Sequence, residues 1–450
     1  MGKRHRQRAA TSTHRLHAEA SPHDPPTQYD RPTQYDPPTQ YDPHAEIERL
    51  VVQGLQIAIT GSAAQAQWSI IEVVRQLASV DRDDLIDDLV VRHVGVHVTP
   101  LWERGWSPLD LVHASRSEFD RTIAGLVADM ILADRALQRD DRPTSWTEQL
   151  EQVRLRRGRR SNSPDDFGSI VDRFLVARFL VTLAKVVPVV APPSAWRAAA
   201  SAAGSARASG SRPGDEHVDP RMLERVRALL AKAESSTFEA EVDAFMSKAQ
   251  ELMARYAIDA AMVAAASATA GVASLAAGVQ ARRLHLDDPY AAQKAQLLGA
   301  VASVNGGRVV WHDGWGFATV MGFPVELDLV ELTFTSLLVQ MTKAMAAAGS
   351  GGGRTRSPAF RRAFVLSYAQ RIGERLEAAR HRAHEEAAAQ YGGALVPVQA
   401  ARREAVQQRS AEWFPDTTPM RTRSVDAGGW YAGRQAADVA HLEAGLGEIR

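Results

Sequence analysis

Cysteine is absent from this 450-residue chain. That excludes disulfides, thiolate zinc sites, cysteine-ligated iron–sulfur clusters and cysteine nucleophiles together. Aromatic residues are scarce, at 6%, against an apolar fraction of 45%. The cores must therefore be assembled largely from Ala, Leu and Val, a composition that favours closely packed helices. Net charge is missing too: 53 basic residues balance 53 acidic ones. No global field then steers the protein to nucleic acid or to an anionic membrane, and any basic surface has to be local.

Long apolar runs are also lacking. Residues 174–190 are interrupted by Arg178, Lys185 and Pro188, and residues 260–279 are mostly Ala, Ser and Gly. Neither has the hydrophobicity of a membrane span. The basic start MGKRHRQRAATSTHRLHAEA leads into no apolar core, so neither a secretory signal nor a lipid anchor is expected and the expected location is the cytoplasm.

Length alone predicts two or three domains. Residues 24–43 repeat with period six, DPPTQY, DRPTQY, DPPTQY, DP. Such a unit cannot build a helix or a packed solenoid, so residues 1–44 are expected to be a disordered, polyproline-like arm. The repeated tyrosines Tyr29, Tyr35 and Tyr41 allow a docking role as the alternative. Residues 45–190 read as a helical domain that opens on the stripe Ile47, Leu50, Val51, Leu55. Ser107 before Pro108 marks a helix start inside it. Trp102 and Trp106 are expected to anchor helix packing. Residues 191–218, rich in Pro, Ala, Ser and Gly, read as a flexible linker.

Residues 219–265 carry the best-defined local pattern. Met222, Val226, Leu229 and Leu230 form one stripe, and Ser236 with Glu239 form a capping box that opens a second helix, so a helical hairpin is expected. The motifs LLAKAESS at 229–236 and KAQELMARYAID at 248–259 resemble a bacterial and phage family of domains of unknown function. A companion region in that family is similar to residues 322–340 and 360–376, which extends the resemblance over roughly 219–440. By this resemblance the polar motif positions are Lys232, Glu234, Lys248, Gln250 and Asp259, and Ser236 stands where relatives often have Thr. Helix capping and surface packing account for most of those positions without a functional role.

A small α+β domain is expected over 284–390. Leu297, Leu298, Val301 and Val304 form a helix that stops at Asn305-Gly306-Gly307. Strands RVVWH and WGFATVMG then flank a two-residue Asp313-Gly314 turn. Pro324 opens a helix with the stripe Val330, Phe334, Leu337, Met341. Residues 391–450 read as a helical docking tail. The fold class is therefore α+β, mainly α: a helical N-terminal domain, a linker, then a helical hairpin and a β-hairpin covered by long helices.

Local positive charge gathers at the loop GSGGG at 349–353 and beyond. Arg354, Arg356, Arg361, Arg362, Arg371 and Arg375 are the candidates for binding a polyanion such as nucleic acid, because a glycine-rich bend before a helix start exposes backbone N–H groups. Self-pairing with neighbouring glutamates is the competing reading. The loop lacks the Gly-Lys-Ser/Thr ending of a nucleotide-binding loop. His381, His384 and Glu385 share a helix face, but their order departs from the zinc-peptidase pattern and no metal is assigned. No catalytic residue and no cofactor is expected. The leading expectation is a binding or adaptor protein that engages nucleic acid or another polyanion. A hydrolase with a site near His312, His381, His384 and Glu385, possibly metal-dependent, and a structural oligomer are the alternatives.

Overall fold

The computed structural model describes residues 43–61, 63–77, 83–119, 121–157, 167–201, 220–235, 252, 256, 261, 272–349, 357–391, 395–418 and 426–440. It divides into Met1–Ala45, of which only the last three residues are described, and a compact unit Glu46–Arg450. The repeat arm lies outside the described residues. So do the capping box of the expected hairpin and all of its second helix except Leu252 and Tyr256.

Helices α1 (Pro43–Thr60), α2 (Ala63–Leu77), α3 (Asp83–Val94), α4 (Thr99–Glu103), α5 (Pro108–Glu118), α6 (Arg121–Ala133), α7 (Thr144–Arg156) and α8 (Phe167–Thr182) form the first layer. Ile47, Leu50, Val51, Leu55 and Ala58 recur at three- and four-residue intervals on α1, and all of them are buried in one core with Ile70, Val90, Leu111, Val127 and Phe174. The tryptophans lie where packing alone is not enough, because an indole N–H needs a partner when buried. Trp146 and Trp196 both donate to the Ala191 carbonyl at 2.9 Å, and their rings meet edge-on at 5.4 Å. The start of the expected linker is thus packed on the helical layer, with a short turn at Pro193–Ala195 and a fully buried Trp196.

Helix α9 (Pro220–Ser235) realises the first helix of the hairpin, with Val226 buried. The small α+β part follows. It comprises α10 (Val272–Ala277), β1 (Gln280–His285), α11 (Ala291–Val304), β2 (Arg308–His312), β3 (Phe317–Gly322), α12 (Pro324–Ala348), α13 (Pro358–Tyr391), α14 (Leu395–Trp413) and α15 (Ala427–Asp438). The mainly helical α+β class is the observed one.

The sheet differs from the expected two-stranded ribbon. It has three antiparallel strands in the order β1-β3-β2, with Arg283 opposite Thr319 and His312 opposite Phe317. Strand β1 reads QARRLH and is too polar to show the alternation of a half-buried strand. The connection between β2 and β3 is also longer than a two-residue turn. Residues 313–316 form it, with both Gly314 and Gly316 at positive φ.

One face of the sheet (Leu284, Ala318, Val320, Val309, Trp311) packs on a core shared with α11, α12 and α13. The stripe Val330, Phe334, Leu337, Met341 of α12 is buried there as expected, together with the stripe Phe360, Phe364, Tyr368, Ile372, Leu376 of α13. The other face is shared between two neighbours. Met321 and Val310 meet α10 and α14, whereas Phe317 enters the core of the first helical layer. The β2–β3 turn carries Trp315 into the same place, 5.0 Å from Trp106. This contact brings α5 against β1 and β3, where the polar groups described next are found.

Candidate functional site

Asp110 sits in the first turn of α5 and is fully buried. Its carboxylate accepts the backbone N–H of Ser107 at 3.2 Å and the Ser107 hydroxyl at 2.6 Å. The same carboxylate accepts from Arg283 Nη1 and, at 2.9 Å, from His285 Nε2, both on β1. Burial by itself pushes the carboxyl up, but the Arg283 guanidinium, His285 and the Ser107 hydroxyl outweigh it and hold Asp110 down at about 2. Arg283 also donates to the carbonyls of Gly105 (3.1 Å) and Val187, and its guanidinium lies 5.2 Å from the Phe317 ring centroid. Its Nε is buried without a hydrogen-bond partner.

Two more imidazoles flank this ion pair. His113, one helical turn beyond Asp110, sets its Nε2 2.7 Å from the Gly316 carbonyl, and its ring lies 4.7 Å from that of His285. Gly316 has φ +68°, and a Cβ there would come within 2.8 Å of His113 Nε2. Only glycine serves both the turn and the histidine at this position. His113 Nδ1 faces the exposed Asp287 carboxylate at 3.7 Å. Burial and the neighbouring His285 lower the His113 pKa, against the opposing pull of the Gly316 carbonyl, Asp287 and Asp110. His312 places Nε2 2.8 Å from the Thr319 hydroxyl and stacks on Trp315 at 5.7 Å. Burial first and Arg283 second push it down to about 4. It is an inward-facing strand residue, not the turn residue that its position beside Asp313 suggests.

The sequence marks none of Asp110, His113, Arg283 or His285 as a site. A capping pattern explains Asp110 locally, and Arg283 and His285 lie in the strand whose polarity hides it. The one available signal is an Arg-x-His pair on alternate positions of a strand, which share a face.

The sequence-derived candidates are distributed differently. On α13, Arg371 pairs with Glu374 at 2.9 Å and with Asp438. Arg375 donates to the carbonyls of Ala437, Asp438 and Ala440 at the end of α15. Arg361 and Arg362, in the first turn of the same helix, have no carboxylate partner among the described residues, and Arg362 Nε reaches the Pro358 carbonyl at 3.2 Å. Arg354 and Arg356 lie outside the described residues.

Of the family-motif residues, Lys232 is exposed on α9, the Glu234 side chain is outside the described set, and Lys248, Gln250 and Asp259 are outside it altogether. His381 and Glu385 are exposed on α13, where His381 faces Glu377 at 3.5 Å, and the His384 side chain is not described. Among the described residues, no group of three or more His, Asp or Glu side chains is placed to hold a metal ion, and no helix is long and apolar enough to cross a membrane.

Residues 221–260 match the model of a family described as a protein of unknown function, DUF2786. The match covers α9 and the segment after it, a small part of the chain. Comparison with curated proteins and with solved structures found no match.

Proposed function

We propose that the protein is a noncatalytic binding or adaptor protein of the cytoplasm that holds a polyanion, nucleic acid foremost, at the start of α13 and in the glycine-rich segment before it. The bacterial or phage setting suggested by the motif resemblance belongs to the same proposal. The observation that supports it is the contrast along one helix. Arg371, Arg375 and Arg380 are committed within the chain, Arg380 to Glu377. Among the described residues, Arg361 and Arg362, next to Arg354 and Arg356 in sequence, have no carboxylate partner in a region where the helix dipole adds positive potential.

The noncatalytic half of the proposal draws support from Asp110. With its carboxylate filled by four donors and its pKa held at about 2, it is a poor general base near neutral pH.

Fluorescence anisotropy with a labelled DNA duplex and a labelled single strand tests the proposal. Affinity is expected to fall linearly with salt on logarithmic axes. Changing Arg354, Arg356, Arg361 and Arg362 together to Ala should weaken binding and flatten that slope, whereas Arg371→Ala should leave both unchanged. Binding that is absent or indifferent to salt removes the proposal.

A further inference from the structure

We propose that the outer edge of strand β2 (Arg308–His312) is a self-association surface, on which a second copy of this chain pairs its own β2 antiparallel about a two-fold axis through Val310. The surface lies on other elements than the polyanion reading and does not depend on it.

The ladder dictates which backbone groups are available there. Leu286 N–H bonds the Gly316 carbonyl at 2.8 Å, in register with the β1–β3 pairing, so Gly316, Ala318 and Val320 turn their backbone groups towards β1. The alternate residues Phe317, Thr319 and Met321 then turn theirs towards β2, where they meet His312, Val310 and Arg308. Val309 and Trp311 are left with N–H and C=O groups pointing away from the sheet, and among the described residues no donor or acceptor meets them. The opposite edge, β1, lies against α5, and its Arg283 side chain is bound to the carbonyls of Gly105 and Val187. Among the described residues the β2 edge has no such cover: every residue of β2 keeps part of its surface exposed, whereas β3 is buried throughout.

The occupant follows from the strand itself. β2 reads RVVWH, without the Pro, Lys or bulge that ordinarily blunts an edge against another chain. It is also complementary to itself. With the axis at Val310, Val309 faces Trp311 of the second copy and Trp311 faces Val309 of the second copy, so each outward residue exchanges both its N–H and its C=O. Centring the axis on Val309 would set Trp311 against Gly307, whose N–H is already given to the Ala302 carbonyl at 2.8 Å. Centring it on Trp311 would set Val309 against Asp313, in the turn beyond the strand. The Val310 register also places a β-branched side chain beside an aromatic one at each hydrogen-bonded pair, a favourable cross-strand combination, and sets no two like charges opposite each other.

Because the chain has no cysteine, single cysteines report the register directly. Val310 would meet its own copy at a non-hydrogen-bonded pair, where Cα atoms are about 4.5 Å apart, within reach of a disulfide. Val310→Cys in the full chain should therefore cross-link to a covalent dimer under mild oxidation, whereas Val309→Cys, whose own copy lies two residues away along the ladder, should not. Sedimentation of the parent over a concentration series should show a dimer that dissociates on dilution, as expected of so small an interface. Val309→Pro removes an outward N–H and leaves the β3 ladder intact, so it should weaken the dimer by roughly tenfold or more while the circular dichroism spectrum matches the parent. If that variant fails to fold, the two cysteine variants decide the case. A parent that stays monomeric at the highest concentration reached, a dimer indifferent to Val309→Pro, or a Val310→Cys chain that cross-links no better than Val309→Cys overturns the proposal.

Discussion

Asp110 gathers the chemistry of this protein at the scale of one residue. It caps the start of a helix, neutralises a buried guanidinium and orients an imidazole. The guanidinium of Arg283 is only 2% exposed, so removal of its counter-charge strands a cation in a dry interior. Asp110→Ala should therefore cost about 3–5 kcal/mol of unfolding free energy in urea denaturation. Joint replacement of Asp110 and Arg283 by apolar residues should recover part of that loss, because both desolvation penalties disappear together. A double variant no more stable than Asp110→Ala would show that the pair contributes more than mutual neutralisation.

His312 gives a pH dependence of known sign. Its pKa is about 4 in the folded protein and near 6.5 in an unfolded chain. Between those values the unfolded state binds more protons, so the stability His312 contributes is complete above about pH 6.5 and is lost as pH falls towards 4. Melting temperatures of the parent and of His312→Phe, whose ring suits the aromatic contacts with Trp315, Phe317 and Phe414, should diverge in slope within that window. Parallel slopes would assign the proton uptake elsewhere.

Among the elements, the pairing of α13 with α15 rests on the absence of side chains. Gly429 and Gly433 are four residues apart and face the backbone of Phe360 and Phe364, so a Cβ on Gly433 would overlap the Phe364 carbonyl and the Ser367 hydroxyl. Gly433→Val should destabilise by about 1–3 kcal/mol through overpacking, with faster amide exchange across α15 than across α12. Exchange that rises equally everywhere would mean that α15 has no separate stability.

The helices themselves are legible in the sequence. The stripes on α1, α12 and α13 recur every three to four residues, and Ser107-Pro108 and Pro324 mark the starts of α5 and α12. Strand β1 is not legible, because Arg282 and Arg283 both occupy it. They point to opposite faces and each finds acids there: Arg282 binds Asp328 and Glu331 at 2.7 Å, and Arg283 binds Asp110. A pattern search that treats arginine as solvent-facing has no way to register either.

At the scale of the molecule, the buried cluster joins two layers that the linear reading treats as separate domains. Phe317 lies in the core of the first layer, and Arg283 bonds carbonyls in the segments that follow α4 and α8, at Gly105 and Val187. Residues 46–450 are accordingly expected to unfold in a single calorimetric transition, and Asp110→Ala should split it or broaden it. Two transitions in the parent protein would show that the layers are energetically independent despite this contact.

By itself, the sequence determined the helical character of the chain, the exclusion of all thiol chemistry, the starts of α5 and α12 and the hairpin around Asp313-Gly314. Each of these depends on neighbours within a turn or two, where spacing is the same in the chain and in space. Only the tertiary structure decided that Asp110 meets Arg283 and His285, 173 and 175 residues away, and that the α13 arginines divide into those held by α15 and those left at its start. Contacts of that kind form where burial makes an unpaired charge costly, and burial is a property of the packed molecule that no local stretch of residues contains.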